Sequence, residues 1–191
     1  MISVDTLLTA YASGWFPMSY APGDIRWYSP DPRGIIPLEA FHAPRRLART
    51  VRQQRFDLRI DTDFRAVITA CASRRDEDGN WIDHEILESY CALHEAGFAH
   101  SVETWQDGVL AGGLYGVALK GAFFGESMFH HVRDASKVAL AALVERLLAQ
   151  GFVLLDTQWV TDHLVQFGAT EIPRRRYLRL LEKALNVDAV F

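Results

Sequence analysis

Three consecutive segments between His100 and Phe129 limit most strongly how this chain can fold. The segments HSVETW, VLAGGLYGVAL and GAFFGESMF follow an apolar period of two, whereas the segments before them follow helical spacing. Gln106, Asp107 and Gly108 separate the first two, and another glycine-containing turn separates the last two. The pattern therefore predicts three antiparallel strands joined as a meander.

A helical pattern and a further strand follow this meander. DASKVALAALVERLLAQG has Asp134 at its start as a predicted N-cap, an apolar stripe along one face, and Gly151 as a stop signal. The segment FVLLDTQWV then reads as a strand, with a short helix from about Asp162 and a last helix from Pro173. This order indicates an α+β fold of the acetyltransferase (GNAT) type.

The part of the chain before the meander divides into an irregular region and three helical segments. Residues 1–60, rich in Trp, Tyr, Pro and Gly turns and ending in a basic helix, are predicted to form a small N-terminal lobe. Residues 61–191 are predicted to form the acetyltransferase-like catalytic domain. Within it, helices are expected over residues 61–73 and in WIDHEILESYCALHEAG, with the polar stretch SRRDEDGN as a loop before Trp81.

Composition limits the cellular setting. The chain has 191 residues, 49% of them hydrophobic, which is enough for a substantial core. The sequence shows no run of 18 apolar residues and no secretory leader, so we expect a cytoplasmic protein that does not enter a membrane. Cys71 and Cys91 are the two cysteines, and we expect buried free thiols.

Arginines cluster in HAPRRLARTVRQQR, although the net charge is -4. If this stretch is a helix beginning after Pro44, Arg45, Arg49 and Arg52 fall within an arc of roughly 60°. Such a stripe suits a phosphate backbone, but a solvated helix face explains it equally well. For the arginines that follow Pro173, a solvated face is the preferred interpretation.

Polar residues in apolar strands are the candidates for a reactive site. Glu126 lies within GAFFGESMF, and Asp156 and Gln158 project from one face of LLDTQWV. Burying such groups is costly unless they are paired, so they form either a shared site or hydrogen bonds inside the sheet. The segment around Ser127 lacks the second glycine of a nucleophile elbow, so Ser127 is not predicted to be a nucleophile. No HExxH spacing occurs, so we expect no metal site.

An acetyl-CoA enzyme is the first function that this fold suggests. Such enzymes hold the pyrophosphate on a glycine-containing loop at the N-terminus of the helix after the meander. Here that loop is RDASKV, with Ser136 and Val138 at the glycine positions and Asp134 placing negative charge there. The sequence therefore argues against CoA, and no cofactor is expected.

Eight segments spread along the chain form one ordered set. They are YASGWFPM, WYSPDPRG, HAPRRLARTVR, HSVETW, GGLYGVAL, FFGESMF, DASKVAL and LLDTQWVTDHLVQFGATEIPRR. In this order they resemble the bacterial leucyl/phenylalanyl-tRNA-protein transferases over nearly the whole chain. The resemblance implies transfer of Leu, Phe or, less well, Met from aminoacyl-tRNA to proteins with N-terminal Arg or Lys. It also implies that the products are N-degrons read by the Clp protease adaptor.

The resemblance also implies roles for individual residues. Glu126 would bind the donor's α-amino group, with Asp156 and Gln158 at the reacting centre. Trp81 would stack on the terminal adenine of the tRNA, and Met18 stands where the family has a second stacking tryptophan. The implied acceptor-stem contacts are Arg45, Arg49 and Arg52. The implied side-chain pocket is lined by Leu114, Phe123, Met128, Leu140, Leu143, Leu147 and Leu155.

Two questions about this site stay open in the sequence. Strict alternation puts Phe123 on the face opposite Glu126 and Met128, and a bulge at Gly125 would reconcile them. The proton of the attacking amine would be taken either by Asp156 acting through Gln158 or by the donor's ribose 2′-hydroxyl.

The alternative functions for the whole protein are a CoA-dependent N-acetyltransferase and a non-catalytic RNA-binding module.

Overall fold

The computed structural model describes residues 1–74 and 80–191. The helices, α1 to α7 in order, are Val4–Ala12, Arg45–Arg52, Phe64–Ala72, His84–Glu95, Ala135–Ala149, Asp162–Val165 and Arg174–Ala184. The strands, β1 to β9 in order, are Phe16–Ala21, Asp24–Tyr28, Arg33–Ile36, Asp57–Ile60, Ala99–Gln106, Val109–Leu119, Ala122–His130, Leu154–Gln158 and Thr170–Ile172. The loop predicted over residues 73–80 falls largely on residues 75–79, which lie outside the described residues.

A seven-stranded mixed sheet is the centre of the α+β fold. Its strand order is β4-β5-β6-β7-β8-β3-β9, and every pair is antiparallel except β7 with β8. The predicted meander is confirmed, with Leu114 of β6 lying between Val102 of β5 and Met128 of β7. A separate hairpin is formed by β1 and β2.

Helices cover both faces of this sheet. Alternation along the strands sends Phe124 and Leu154 into one core, and Phe123 and Leu155 into the other. Helices α1, α3, α4 and α7 pack on the first face, and α5 packs on the second with α2 beside it. Both faces are therefore buried, as the length and hydrophobic content of the chain allow.

The start of α5 differs from the prediction in its capping. Asp134 stands at the N-cap position, but its φ is +67°, and among the described residues its side chain makes no capping hydrogen bond. It instead forms ion pairs with Arg46 at 3.1 Å and Lys137 at 3.8 Å. The helix ends as predicted, because Gly151 adopts a φ of +78° that a side chain would disfavour.

Several smaller features bear on the predictions. The helix expected over residues 61–73 begins at Phe64, because Asp63 caps it by accepting a hydrogen bond from the Ala66 N–H at 3.0 Å.

Cys71 and Cys91 are free and buried, as predicted, and burial raises the pKa of Cys71 to about 12. Within residues 1–74 and 80–191, no helix is long and apolar enough to cross a membrane.

Two strands from the predicted N-terminal lobe belong to the central sheet. Strand β3 lies between β8 and β9, and β4 forms the edge beside β5. The sheet therefore runs across the boundary predicted at residue 60, and β3 brings the WYSPDPRG segment against β8.

Candidate active site

A cavity of about 870 Å³ opens where the two parallel strands separate. Strands β7 and β8 pair only as far as Phe124 and Asp156. Beyond that point Glu126 of β7 and Gln158 of β8 face each other, with Gln158 Nε2 donating to Glu126 Oε1 at 3.2 Å. Nine residues predicted for the site line this cavity: Met18, Trp81, Leu114, Glu126, Met128, Leu140, Leu143, Leu155 and Gln158.

Strand β7 contains a bulge one residue after Gly125, the position that the sequence analysis suggested. Tyr115 of β6 lies opposite Ser127 and Gly116 lies opposite Gly125, so Glu126 is the extra residue. The bulge returns Met128 to the face of Phe123, and both pack in the core under α5. Simple alternation wrongly placed Glu126 beside Met128. Its carboxyl turns toward the other face, where α1 and α4 lie.

Two tyrosine hydroxyls hold the Glu126 carboxyl. Tyr11 of α1 donates to Oε1 at 2.8 Å and Tyr90 of α4 donates to Oε2 at 3.3 Å. The two hydroxyl oxygens are also in contact, but their two protons cannot serve all three contacts at once unless the carboxyl itself is protonated. Removal from water raises the pKa of Glu126 to about 8, against the hydrogen bonds from the tyrosines. The charge on Asp156 also raises this pKa. Burial disfavours the charged form of this carboxyl, and a cation that entered the cavity would stabilise that form.

Asp156 lies behind the cavity and is fully buried. Its Oδ1 accepts from Arg33 Nε and from the Gln158 backbone N–H, both at 2.9 Å. Its Oδ2 accepts from Arg33 Nη2 at 2.6 Å and from the Tyr177 hydroxyl at 2.7 Å. The resemblance implied a position at the reacting centre, whereas in the structure this carboxylate lies outside the lining of the cavity, within a saturated hydrogen-bond network.

The backbone around Gln158 is distorted. Gln158 has a φ of +57°, and the Trp159 N–H donates to Thr157 O at 2.6 Å. Strand β3 pairs Gly34 with Gln158 and Ile35 with Asp156, so Thr157 is skipped in the pairing. This turn at the end of β8 breaks the simple alternation assumed for LLDTQWV, and it aims the Gln158 amide at Glu126.

The apolar wall of the cavity comes from the meander, α5 and β8. Five of the residues predicted for the side-chain pocket line it: Leu114, Met128, Leu140, Leu143 and Leu155. The two other residues predicted for this pocket, Phe123 and Leu147, are fully buried in the core behind the wall. They shape the wall from behind through packing.

Trp81 and Met18 of the β1–β2 hairpin, both half-buried, lie together in the wall of the cavity. A backbone hydrogen bond from Ser19 N to Trp81 O, 3.1 Å long, ties the hairpin to the segment before α4. The Ser19 hydroxyl adds a bond to Asp83 at 2.8 Å. The two residues predicted to contact the terminal adenine are therefore brought together.

A second, cationic cleft of about 600 Å³ lies beside α2. Four arginines line it: Arg46, Arg49, Arg55 and Arg133. It adjoins the cavity, because His130 and His131 line the cavity while Val132 to Asp134 line the cleft. Arg45 and Arg52 are exposed on α2 outside the cleft, so the predicted stripe meets the cleft through Arg49.

The sequence did not predict the residues that hold Glu126 and Asp156. Tyr11, Arg33, Tyr90 and Tyr177 were not predicted, although Tyr11 and Arg33 occur in the segments YASGWFPM and WYSPDPRG that carried the resemblance. Among residues 1–74 and 80–191, no group of three or more His, Cys, Asp or Glu side chains is placed to hold a metal.

Comparisons with known proteins identify the family of this chain. Residues 35–182 match the model of the leucyl/phenylalanyl-tRNA protein transferase family, and residues 1–31 match that of its N-terminal domain. The leucyl/phenylalanyl-tRNA–protein transferase of Nitrobacter winogradskyi is 59% identical over 100% of this chain and 86% of that protein. The one from Herpetosiphon aurantiacus is 56% identical over 100% of this chain and 98% of that protein.

A solved structure, that of L-PGS from Bacillus licheniformis, aligns with a TM-score of 0.44 at 12% identity. It covers 79% of this chain and 51% of that one, a likeness too low to support an argument about fold or function. The sequence relatives and the two family models, by contrast, extend over almost the whole chain. The chain therefore belongs to the leucyl/phenylalanyl-tRNA protein transferase family of aminoacyltransferases.

Proposed function

We propose that the protein transfers Leu or Phe, and Met less well, from aminoacyl-tRNA to the α-amino group of proteins with N-terminal Arg or Lys. One observation carries the proposal: a single cavity ends in a carboxyl, Glu126, and has an apolar wall that includes Leu114 and Leu143. An aminoacyl ester of Leu or Phe has one cationic end and one apolar end. The cavity offers a complementary group for each.

Selection of the donor side chain would follow the shape of the apolar wall. Such pockets distinguish side chains that differ by a methylene by only about 1 to 3 kcal/mol. Met128 in the wall can adjust its shape, because a thioether side chain has several accessible rotamers. Some use of methionyl-tRNA is therefore expected.

The reaction is aminolysis of an ester. The acceptor amine attacks the aminoacyl carbonyl, a C–N bond forms, the ester C–O bond breaks, and the terminal ribose oxygen leaves with a proton. A free α-amine has a pKa of about 7.7 to 8.0, so roughly a tenth or more is neutral near pH 7. The four hydrogen bonds on Asp156 support the ribose 2′-hydroxyl, rather than Asp156, as the group that takes the amine's proton.

The tRNA would approach along the cationic cleft. Arg49 and Arg133 can contact phosphates there, with Arg45 and Arg52 extending the surface along α2. The 3′ end would then pass the loop between β7 and α5 to reach Trp81 and Met18, between which the terminal adenine would lie. The thioether of Met18 would pack on the base without the stacking that an aromatic ring provides.

We also propose that the sheet and α5 form an acetyltransferase-like domain that has lost CoA binding. The support is the order of the meander, α5 and a parallel β8. At the start of α5, where CoA phosphates would lie, Asp134 adds negative charge and Ser136 is buried. The N-degron role and the Clp protease adaptor as reader of the product follow from the family resemblance.

A transfer assay tests the proposal. The protein is incubated with radiolabelled leucyl-tRNA and a protein with N-terminal Arg, and label in the acceptor is expected. A matched acceptor with an acetylated N-terminus should stay unlabelled, because it has no free amine. Absence of label in both would contradict aminoacyl transfer. Label from acetyl-CoA in place of tRNA would support the acetyltransferase, and tRNA binding without transfer would support the RNA-binding module.

A further inference from the structure

We propose that Arg33 is a positioning residue for the transfer reaction. Through its ion pair with Asp156, it holds the backbone of Gln158 and so aims the Gln158 amide at Glu126. Arg33 itself would contact neither substrate. The proposal rests on the aminoacyl-transfer function, and part of its test below is independent of that function.

Arg33 is held on all sides by the protein. Both it and Asp156 have 0% exposed side chains, and two of its nitrogens bond the two carboxylate oxygens in parallel. Its Nη1 donates to Gly14 O at 3.0 Å, and the guanidinium lies 4.4 Å from the ring centroid of Tyr177. The guanidinium therefore has one orientation, which it imposes on the carboxylate.

Asp156 passes this orientation to Gln158 through the main chain. Of the four hydrogen bonds that the carboxylate accepts, one comes from the Gln158 backbone N–H at 2.9 Å. Because Asp156 is fully buried, a substrate amine cannot reach its oxygens. The hydrogen bond from the Gln158 backbone N–H connects this carboxylate to a residue that lines the cavity.

The Gln158 turn needs such support because its backbone is strained. A residue other than glycine at a φ of +57° is uncommon, and such conformations persist only where surrounding contacts hold them. Gly34, next to Arg33 in β3, supplies the second hold. A Cβ at Gly34 would come within 2.5 Å of the Trp159 carbonyl carbon, so only glycine lets β3 approach this turn. The dipeptide Arg33–Gly34 thus supports the turn at two points.

A double-mutant cycle tests the positioning role. We expect Arg33→Lys to lower kcat about 10- to 100-fold, since a displacement of about 1 Å can cost two orders of magnitude. The KM for leucyl-tRNA should stay within about twofold, because Arg33 lines neither the cavity nor the cationic cleft. In a Gln158→Ala background, Arg33→Lys should cause no further loss of kcat.

Arg65→Lys is the matched control. Arg65 forms the same two-bond pair with Glu88, at 2.7 and 3.0 Å, but on the exposed surface between α3 and α4. We expect its kcat to match that of the wild type within about twofold. Losses that multiply in the double variant, or a folded Arg33→Lys with wild-type kcat, would overturn the proposal.

Hydrogen exchange of the peptide over residues 154–160 provides the readout that does not need transfer activity. The Gln158 amide should exchange at least about tenfold faster in Arg33→Lys than in the wild type, because its acceptor is displaced. An unchanged exchange rate in the folded variant would refute the proposal even if the wild type transferred no amino acid. If Arg33→Lys does not fold, Arg33→Gln, which keeps a side-chain N–H donor but loses the two parallel bonds to Asp156, takes its place in both measurements and decides by the same criteria.

Discussion

At the scale of single residues, the environment of Glu126 explains why a carboxyl is placed among phenylalanines. Its hydrogen bonds come from two buried tyrosines and one glutamine amide, and none of these groups carries a positive charge. Such neutral partners compensate only part of the cost of removing a carboxylate from water. Burial therefore favours the protonated form of Glu126 in the free protein, and a bound ammonium would supply the missing charge.

The raised pKa of Glu126 predicts how stability depends on pH. The folded pKa of about 8 exceeds the value of 4.5 expected for the unfolded chain, so the folded state binds an extra proton between these values. Stability from this group is present below pH 4.5 and is lost as the pH rises through 8. Glu126→Gln should remove this loss and become more stable relative to the wild type as the pH rises, by on the order of a few kcal/mol.

Urea unfolding of the wild type and of Glu126→Gln, from pH 9 down to well below the ordinary Asp pKa of 3.8, measures this difference. Asp61→Asn is the control of opposite sign. Burial would raise the pKa of Asp61, but hydrogen bonds from His100 and Ser101 outweigh it and lower the pKa below the ordinary value. The stability that Asp61 contributes should therefore be present at neutral pH and be lost as the pH falls below the ordinary Asp pKa of 3.8. A Glu126→Gln difference that stays constant across the range would contradict the raised pKa.

At the scale of elements, helix α2 has one buried apolar face and one exposed cationic face. Leu47 is buried against the core under α5, while Arg45, Arg49 and Arg52 are exposed. The exposed stripe left two interpretations open, and the cleft beside Arg49 and Arg133 favours phosphate binding over a merely solvated face.

Reversal of one charge on α2 tests this interpretation. Arg49→Glu should weaken tRNA binding and reduce the slope of log K against log salt by about 1, because a phosphate contact is lost. Binding is measured by filter retention across salt concentrations. Arg179→Glu, an equally exposed arginine on α7, is the matched control and should leave the slope unchanged. Equal effects of the two variants would indicate general charge rather than a cleft contact.

At the scale of the whole molecule, the central sheet unites the two ends of the chain. Strand β3 is inserted between β8 and β9, and helix α1 packs in the core with Tyr90 and Tyr115. Arg33 and Asp156 meet although 123 positions separate them. We therefore expect the protein to unfold in one cooperative transition rather than one for each predicted domain.

Truncation in α1 tests this cooperativity. Leu7 is fully buried, so Leu7→Ala should lower the single thermal midpoint by roughly 5 to 10 °C through lost packing. Calorimetry should show one peak that moves as a whole. Leu8→Ala, at a half-buried neighbouring position, should cause a smaller shift. Two separate peaks, of which only one responds to Leu7→Ala, would show that the N-terminal segment unfolds independently.

Local signals determined the elements of this protein. The period of two between His100 and Phe129, and the stop at Gly151, lie within short stretches of chain, so the meander and α5 could be read from the sequence. The bulge in β7 could also be inferred, because Phe123 and Met128 had to share one face. Family resemblance added the cavity residues, nine of which line one site.

Only the tertiary structure decided which side chains hold the carboxyl groups of Glu126 and Asp156. Tyr11 reaches Glu126 across 115 positions, and the partners of Asp156 come from β3 and α7, so no local pattern could pair them. The burial of Asp156 could likewise not be predicted, because it depends on the strands and helices packed around β8. The sequence by itself determined the local elements and the residue types of the site. The packing of distant segments decided that Glu126 faces the cavity and that Asp156 lies behind it.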